Sequence, residues 1–165
     1  MTDSEKPTAF RSERHDHAAC VAEALARADS VCAQRGLRLT AMRRRILELI
    51  WQNHTPSKAY DLLDLVRQEH RGAAPPTVYR ALEFLRDAGL VHHLESIDAF
   101  VGCDADECRG QPQFLICRGC QRVAEIHSQR LAHDAAVEAL GAGFQAENEI
   151  IELHGICDAC REGTA

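Results

Sequence analysis

Long apolar runs are missing from this sequence. No stretch approaches the roughly 18 residues that argue for a membrane-spanning helix, and no secretory signal opens the chain. The reading is therefore a cytoplasmic protein with no membrane partner. Aromatic residues are scarce too, with two tyrosines and one tryptophan. That is thin for a protein that stacks single-stranded bases on aromatic platforms. Internal repeats and low-complexity tracts are absent. So is the His-x-Glu followed by Pro-Cys-x-x-Cys that marks a zinc deaminase. No donor set pairs an open zinc position with a nearby general base. An enzyme with a small-molecule substrate is not expected.

What the sequence does have is cysteine, eight in 165 residues, and 45% apolar residues, enough for a buried core. In a cytosolic chain that many thiols argue for metal or redox chemistry rather than a disulfide framework. Four of them stand in two knuckles, Cys117-Arg118-Gly119-Cys120 and Cys157-Asp158-Ala159-Cys160. Each Cys-x-x-Cys turn aims two sulfurs at one point. Two such turns supply the closed tetrahedral set of a structural zinc site. Thiolate donors favour zinc or an iron–sulfur cluster over magnesium or calcium, and the spacing resembles paired knuckles more than a cluster run. The rival is a pair of redox disulfides. A thioredoxin-like motif would follow a strand in a βαβ unit, and here one knuckle lies in the C-terminal tail.

The net charge of −6 is unevenly spread. Residues 35–95 carry ten Lys/Arg against seven Asp/Glu, while residues 96–165 carry five against twelve. The middle segment is the candidate for phosphate contact. Its pattern is helical. Residues 1–14 read as a disordered arm. His15, Asp16, His17 and Cys20 resemble a metal cluster, but read better as the start of a helix over 18–34, with Val21, Leu25, Ala28 and Cys32 facing inward. Thr40 caps a helix over 41–53 that buries Ile46, Leu47, Ile50 and Trp51. Its Arg43-Arg44-Arg45 run sprays around the axis, so one or two at most can face DNA. Pro56 and Ser57 open a helix over 58–70 with Ala59, Leu62, Leu63 and Val66 inward. Thr77 caps a fourth, 78–88, with Tyr79, Arg80 and Glu83 outward near its start. Recognition helices put their N-terminal residues against base edges, so this series fits a helix-turn-helix. Leu90–Leu94 and Ala99–Cys103 then read as the hairpin wing of a winged helix.

From residue 113 the pattern changes. Strands are expected at 114–116, 123–127 and 149–156, with a helix from Ser128 to about Leu140. Some 50 residues give a weak core, so a zinc staple and a partner subunit are both expected. The fold class is α+β: a winged helix-turn-helix domain over 15–96, a hinge and metal-binding loop over 97–112, and a small α/β dimerisation domain over 113–165.

Further donors gather at the join. His92 and His93 lie on the wing, Cys103, Asp104, Asp106, Glu107 and Cys108 follow it, and Glu125 lies beyond the first knuckle. Thiolate, imidazole and carboxylate together suit zinc. His92 and Cys103 sit on opposite strands of one hairpin and can approach closely. Glu125 would arrive from the other domain. Neighbouring strand residues face opposite ways, so one of His92 and His93 is a ligand. His127 and His154 are alternative donors.

At this point the chain resembles the ferric uptake regulator family, and within it the zinc uptake regulator branch. The resemblance lies in Cys32-Ala33-Gln34-Arg35, Leu39-Thr40, Ala59-Tyr60-Asp61-Leu62-Leu63, Pro75-Pro76-Thr77-Val78-Tyr79-Arg80-Ala81-Leu82, Leu90-Val91-His92, the two knuckles and Ile151-Glu152-Leu153-His154-Gly155. It implies a homodimer that represses metal-uptake genes when metal-loaded and binds double-stranded operator DNA. It implies structural zinc at Cys117, Cys120, Cys157 and Cys160. It implies regulatory ligands at His92, Cys103 and Glu125, and DNA contacts at Tyr60 and Arg80, beside Thr77 and Tyr79 in the same helix start. The family usually has a histidine-rich stretch before the first knuckle. Residues 104–116 hold no histidine, and Cys108 is the nearest replacement as fourth ligand. The expectation is a zinc-responsive repressor with two or more zinc ions per chain. The alternatives are a thiol redox-responsive factor, with Cys103 and Cys108 forming a reversible disulfide, and a constitutive zinc-stapled DNA-binding protein.

Overall fold

The computed structural model describes residue 10 and residues 17–52, 55–103, 112–147 and 149–163. The rest of the N-terminal arm, His15, Asp16 and the loop with Asp104, Asp106, Glu107 and Cys108 lie outside the described residues. The chain divides into two compact units, with the boundary between residues 108 and 109. Among the described residues, no helix is long and apolar enough to cross a membrane.

The first unit is helical. Helix α1 (His17–Gln34) buries Ala24, Ala28 and Cys32, while Val21 and Leu25 are partly buried against the same core. The expected stripe faces inward, with Ala24 added to its buried part. Helix α2 (Ala41–Gln52) follows Thr40, whose Oγ1 accepts from the Arg43 N–H at 3.4 Å. It buries Leu49 besides the four expected residues. Helix α3 is Ala59–Glu69 and α4 is Pro75–Asp87. Leu62, Leu82, Leu85, Val66 and Val78 are fully buried between these helices. Each such side chain contributes about 1.5–3 kcal/mol by leaving water.

Two helix starts differ from expectation. Thr77 is not the cap of α4. The helix begins at Pro75, with Ala74 as N-cap, and Thr77 already lies in its first turn. Proline's fixed φ suits the first helical positions, and its missing N–H would have had no helical partner there. At α3 the N-cap is Lys58. Ser57 is taken instead by a bridge to the wing, exchanging backbone bonds of 2.9 and 2.8 Å with Phe100.

The wing is a hairpin of β1 (Val91–Leu94) and β2 (Ala99–Gly102), with His92 opposite Val101 and His93 opposite Phe100. Gly102 has a clear packing role. A Cβ there would collide with the indole of Trp51, so the end of β2 lies directly on α2.

The second unit is a small sheet with one helix. Strand β3 (Gln113–Cys117) lies between antiparallel β4 (Val123–Ile126) and parallel β5 (Ile151–Gly155), in the order β4-β3-β5. The crossover contains α5 (Gln129–Gly141). Ser128 caps it as expected, its Oγ accepting from the Leu131 N–H at 3.3 Å. The buried Gln113 side chain accepts from the Ser128 N–H at 2.7 Å and ties the helix start to β3. A short α6 (Asp158–Arg161), not foreseen from the sequence, carries the second knuckle.

Candidate metal centres

The first knuckle follows β3 and the second begins at the end of β5. Because β3 and β5 pair in parallel, with Cys117 opposite Gly155, both knuckles leave the same end of the sheet. The four ligand sulfurs of Cys117, Cys120, Cys157 and Cys160 lie within 4.8 Å of one another. Cys117 and Cys160 sulfurs are 3.7 Å apart, and those of Cys120 and Cys157 are 3.8 Å apart. A tetrahedron of about 2.3 Å zinc–sulfur bonds has edges near 3.8 Å, so the spacing fits zinc.

The thiol electrostatics point the same way. Burial pushes the Cys117 thiol up, but N–H donors of Cys157, Cys120 and Gly119 outweigh it and bring it down to about 6. The Cys157 N–H reaches that sulfur at 3.3 Å. Burial also raises Cys120, and the Arg122 guanidinium, 3.3 Å from its sulfur, brings it below its ordinary value. Cys160 is driven up to about 12 by burial and then by its three sulfur neighbours. Four thiolates this close repel one another, and a cation at their centre would hold them all ionised. Gly119 makes room for the set, since a Cβ there would lie 2.8 Å from the Cys160 sulfur.

The other expected donors belong to different units. In the helical unit, a His92 ring nitrogen and the Cys103 sulfur come within 4.8 Å of each other. Cys103 is fully buried, and its N–H donates to the Leu90 carbonyl at 3.1 Å. Its sulfur is disulfide-bonded, whereas Cys32 and the knuckle cysteines are in no disulfide. His93 turns away from this pair. Its ring sits 4.6 Å from that of Phe100, and its nitrogens contact Glu95 at 3.1 Å and Asp98 at 2.9 Å. In the sheet unit, Glu125 lies on β4 opposite Phe114, with Oε1 3.1 Å from His127 Nε2. His154 is exposed on β5, opposite Ile116.

A different surface gathers the other site candidates. Tyr60 is 66% exposed in the first turn of α3. Thr77, Tyr79 and Arg80 are all exposed in the first half of α4, around the buried Val78. The three-arginine run on α2 is engaged within the protein. Arg43 lies over the Phe84 ring at 3.5 Å, Arg44 pairs with Asp29, and Arg45 bonds Glu48 and Glu69. The two carboxylates hold Arg45 well above its ordinary pKa, and Arg45 in turn lowers Glu69.

Sequence reasoning missed Arg27. Its guanidinium donates to the Cys103 carbonyl and stands 5.7 Å from the centre of the Trp51 ring. Nothing local in the sequence announces a contact across 76 positions.

Comparison with known proteins gives a consistent set of relatives. A family model for the ferric uptake regulator family matches residues 34–154. The zinc uptake regulation protein of Escherichia coli (strain K12) is 40% identical over 141 residues, covering 85% of this chain and 82% of its own length. A zinc uptake regulator complexed with zinc and DNA superposes at a TM-score of 0.81 with 39% identity, covering 87% of this chain and 96% of that one. Holo XcZur gives a TM-score of 0.76 at 40% identity, covering 84% and 96%.

Proposed function

The chain belongs to the ferric uptake regulator family, and from that premise we propose that it is a zinc-responsive transcription regulator. It binds palindromic operator DNA as a zinc-loaded homodimer in the cytoplasm and represses genes for zinc uptake. The observation that carries this is a division of donors. Four cysteines form a closed set in the sheet unit, while His92 and Cys103 form a separate, incomplete set on the wing that follows α4. A staple needs the first set alone; the second places metal chemistry beside the DNA-reading helix.

Cys117, Cys120, Cys157 and Cys160 hold the structural zinc. With Cys103 reduced to its thiolate, His92 and Cys103 would hold the regulatory zinc, with Glu125 and Cys108 as the remaining donors. Bound zinc would supply a four-coordinate link among thiolate, imidazole and carboxylate donors and no catalytic step. Arg80 donates to a base edge or a phosphate, Tyr60 contacts a phosphate or a thymine methyl, and Thr77 and Tyr79 lie with Arg80 at the start of α4. To move the DNA-competent state from about 1% to 99%, metal must favour it by roughly 5.5 kcal/mol.

The homodimer reading rests on the sheet unit. Val137, Leu140 and Phe144 on and after α5, and Leu153 and Ile156 at β5, are exposed apolar residues. Strand β5 is also an edge of its sheet. A second copy laid against β5 and α5 covers both. Two-fold symmetry then presents two α4 helices to half-sites one helical turn apart, about 34–36 Å.

The test is zinc per chain, measured beside operator binding after mild chelation and reloading, for wild type and Cys103→Ser. Wild type is expected to move between about one and two or more zinc per chain with DNA binding following. Cys103→Ser keeps the structural zinc and loses the response. Operator binding that persists at one zinc per chain sinks the sensor reading.

A second reading, thiol redox control, is favoured by the disulfide at Cys103. It predicts that oxidant abolishes operator binding in the same assay even with zinc in excess.

A further inference from the structure

We infer that Arg27 is a positioning residue for the regulatory zinc site, fixing the backbone of Cys103 from helix α1. The inference rests on the reading of His92 and Cys103 as zinc donors. Strand β2 ends at Gly102, so Cys103 lies just past the regular ladder and its position must be set by other contacts. Three contacts set it. The Cys103 N–H donates to the Leu90 carbonyl at 3.1 Å, at the start of the wing. The Cys103 carbonyl accepts from the Arg27 guanidinium, 76 positions earlier. The preceding residue is a glycine whose missing side chain is replaced by the Trp51 indole.

Arg27 and Trp51 support each other. The guanidinium carbon stands 5.7 Å from the indole centre, within range of a cation–π attraction. The indole thus orients the planar fork, one arm of which reaches the carbonyl. Both backbone polar groups of Cys103 are then held, one by the wing and one by α1. Zinc sites hold their zinc–sulfur distances within about 0.2 Å of a standard value, so the ligand's position matters. A Cys103 released on its carbonyl side would have to be ordered again each time metal binds. Contacts that orient a metal ligand without touching the metal are worth about 10–100-fold in affinity.

The experiment uses the full chain with thiols kept reduced. Zinc is titrated against a chromogenic chelator for wild type, Arg27→Met and Arg27→Lys, and operator binding is measured at saturating zinc. Methionine keeps an apolar stem over Trp51 and removes the donor; lysine keeps a donor that can reach the carbonyl. Arg27→Met is expected to weaken the second zinc about tenfold or more, to leave the four-cysteine zinc unchanged, and to bind operator normally once saturated. Arg27→Lys is expected to come within about threefold of wild type. Purely structural packing would not show this rescue. If Arg27→Met binds the second zinc as tightly as wild type, the inference fails. Should Arg27→Met not fold, a folded Arg27→Lys that is tenfold weaker also overturns it. A wild type that takes up a single zinc sinks the sensor reading itself, which separates the two failures.

Discussion

Gly119 decides how closely the two knuckles can come together. A Cβ at that position would lie 2.8 Å from the Cys160 sulfur, nearer than non-bonded atoms can approach. Gly119→Ala must therefore push α6 away or open the first knuckle. The expected result is about a tenfold loss of affinity at the four-cysteine site and a lower melting temperature, read by chelator competition and thermal unfolding. The knuckles themselves were legible in the sequence, because a Cys-x-x-Cys turn states its geometry within four residues. The crowding at Gly119 was not, since it comes from a sulfur 41 positions away. Arg27 is the same case at greater range. The arginine run on α2 was legible as a run, but its partners were not. Three consecutive helical residues point in three directions, and each met a different neighbour: Phe84, Asp29, and the Glu48–Glu69 pair.

Helix starts show how far local rules carry at the scale of an element. Ser128 obeyed them, and its Oγ accepts the Leu131 N–H. Replacing it with alanine is expected to destabilise the sheet unit by about 1 kcal/mol, seen as a lower denaturation midpoint with an unchanged slope. Ser57 did not obey, because its backbone was taken by Phe100. Thr77 did not, because two prolines had already begun the helix. In both cases a neighbour outside the pattern decided the matter. The periodic interiors of α2, α3 and α4 were legible, since each buries a stripe wide enough to show over three turns. Helix α6 was not. At four residues it has no period to display, and the turn of the knuckle gives it its shape.

For the whole molecule, the sequence divides its charge and its apolar surface between two tasks. The basic surplus falls in residues 35–95, which include Tyr60, Tyr79 and Arg80. The exposed apolar residues of the second unit gather on and around α5 and β5. Leu140 and Phe144 are 66% and 64% exposed, and large apolar patches on a single chain mark an association surface. The double variant Leu140→Glu, Phe144→Glu is expected to be monomeric by sedimentation and to keep its four-cysteine zinc. Its operator affinity should fall at least a hundredfold, since one half-site is left to bind alone. Such a surface was only partly legible. A weak core predicts that a partner is needed, but which face meets it depends on the crossover that leaves β5 at the edge.

The parallel pairing of β3 with β5 also puts the unit's assembly into an order in time. A folding chain that has made β3, β4 and α5 holds a hairpin, a helix and two sulfurs. Two sulfurs do not complete a tetrahedron, and strands paired across so long a loop are slow to meet. The last strand, the last two sulfurs and the Arg118 N–H bond to the Gly155 carbonyl all arrive together. Capture of a metal by the four cysteines and closure of the sheet would then be a single event. Without zinc, chains are expected to stop one strand before the end, lacking the β5 edge that the proposed homodimer would use.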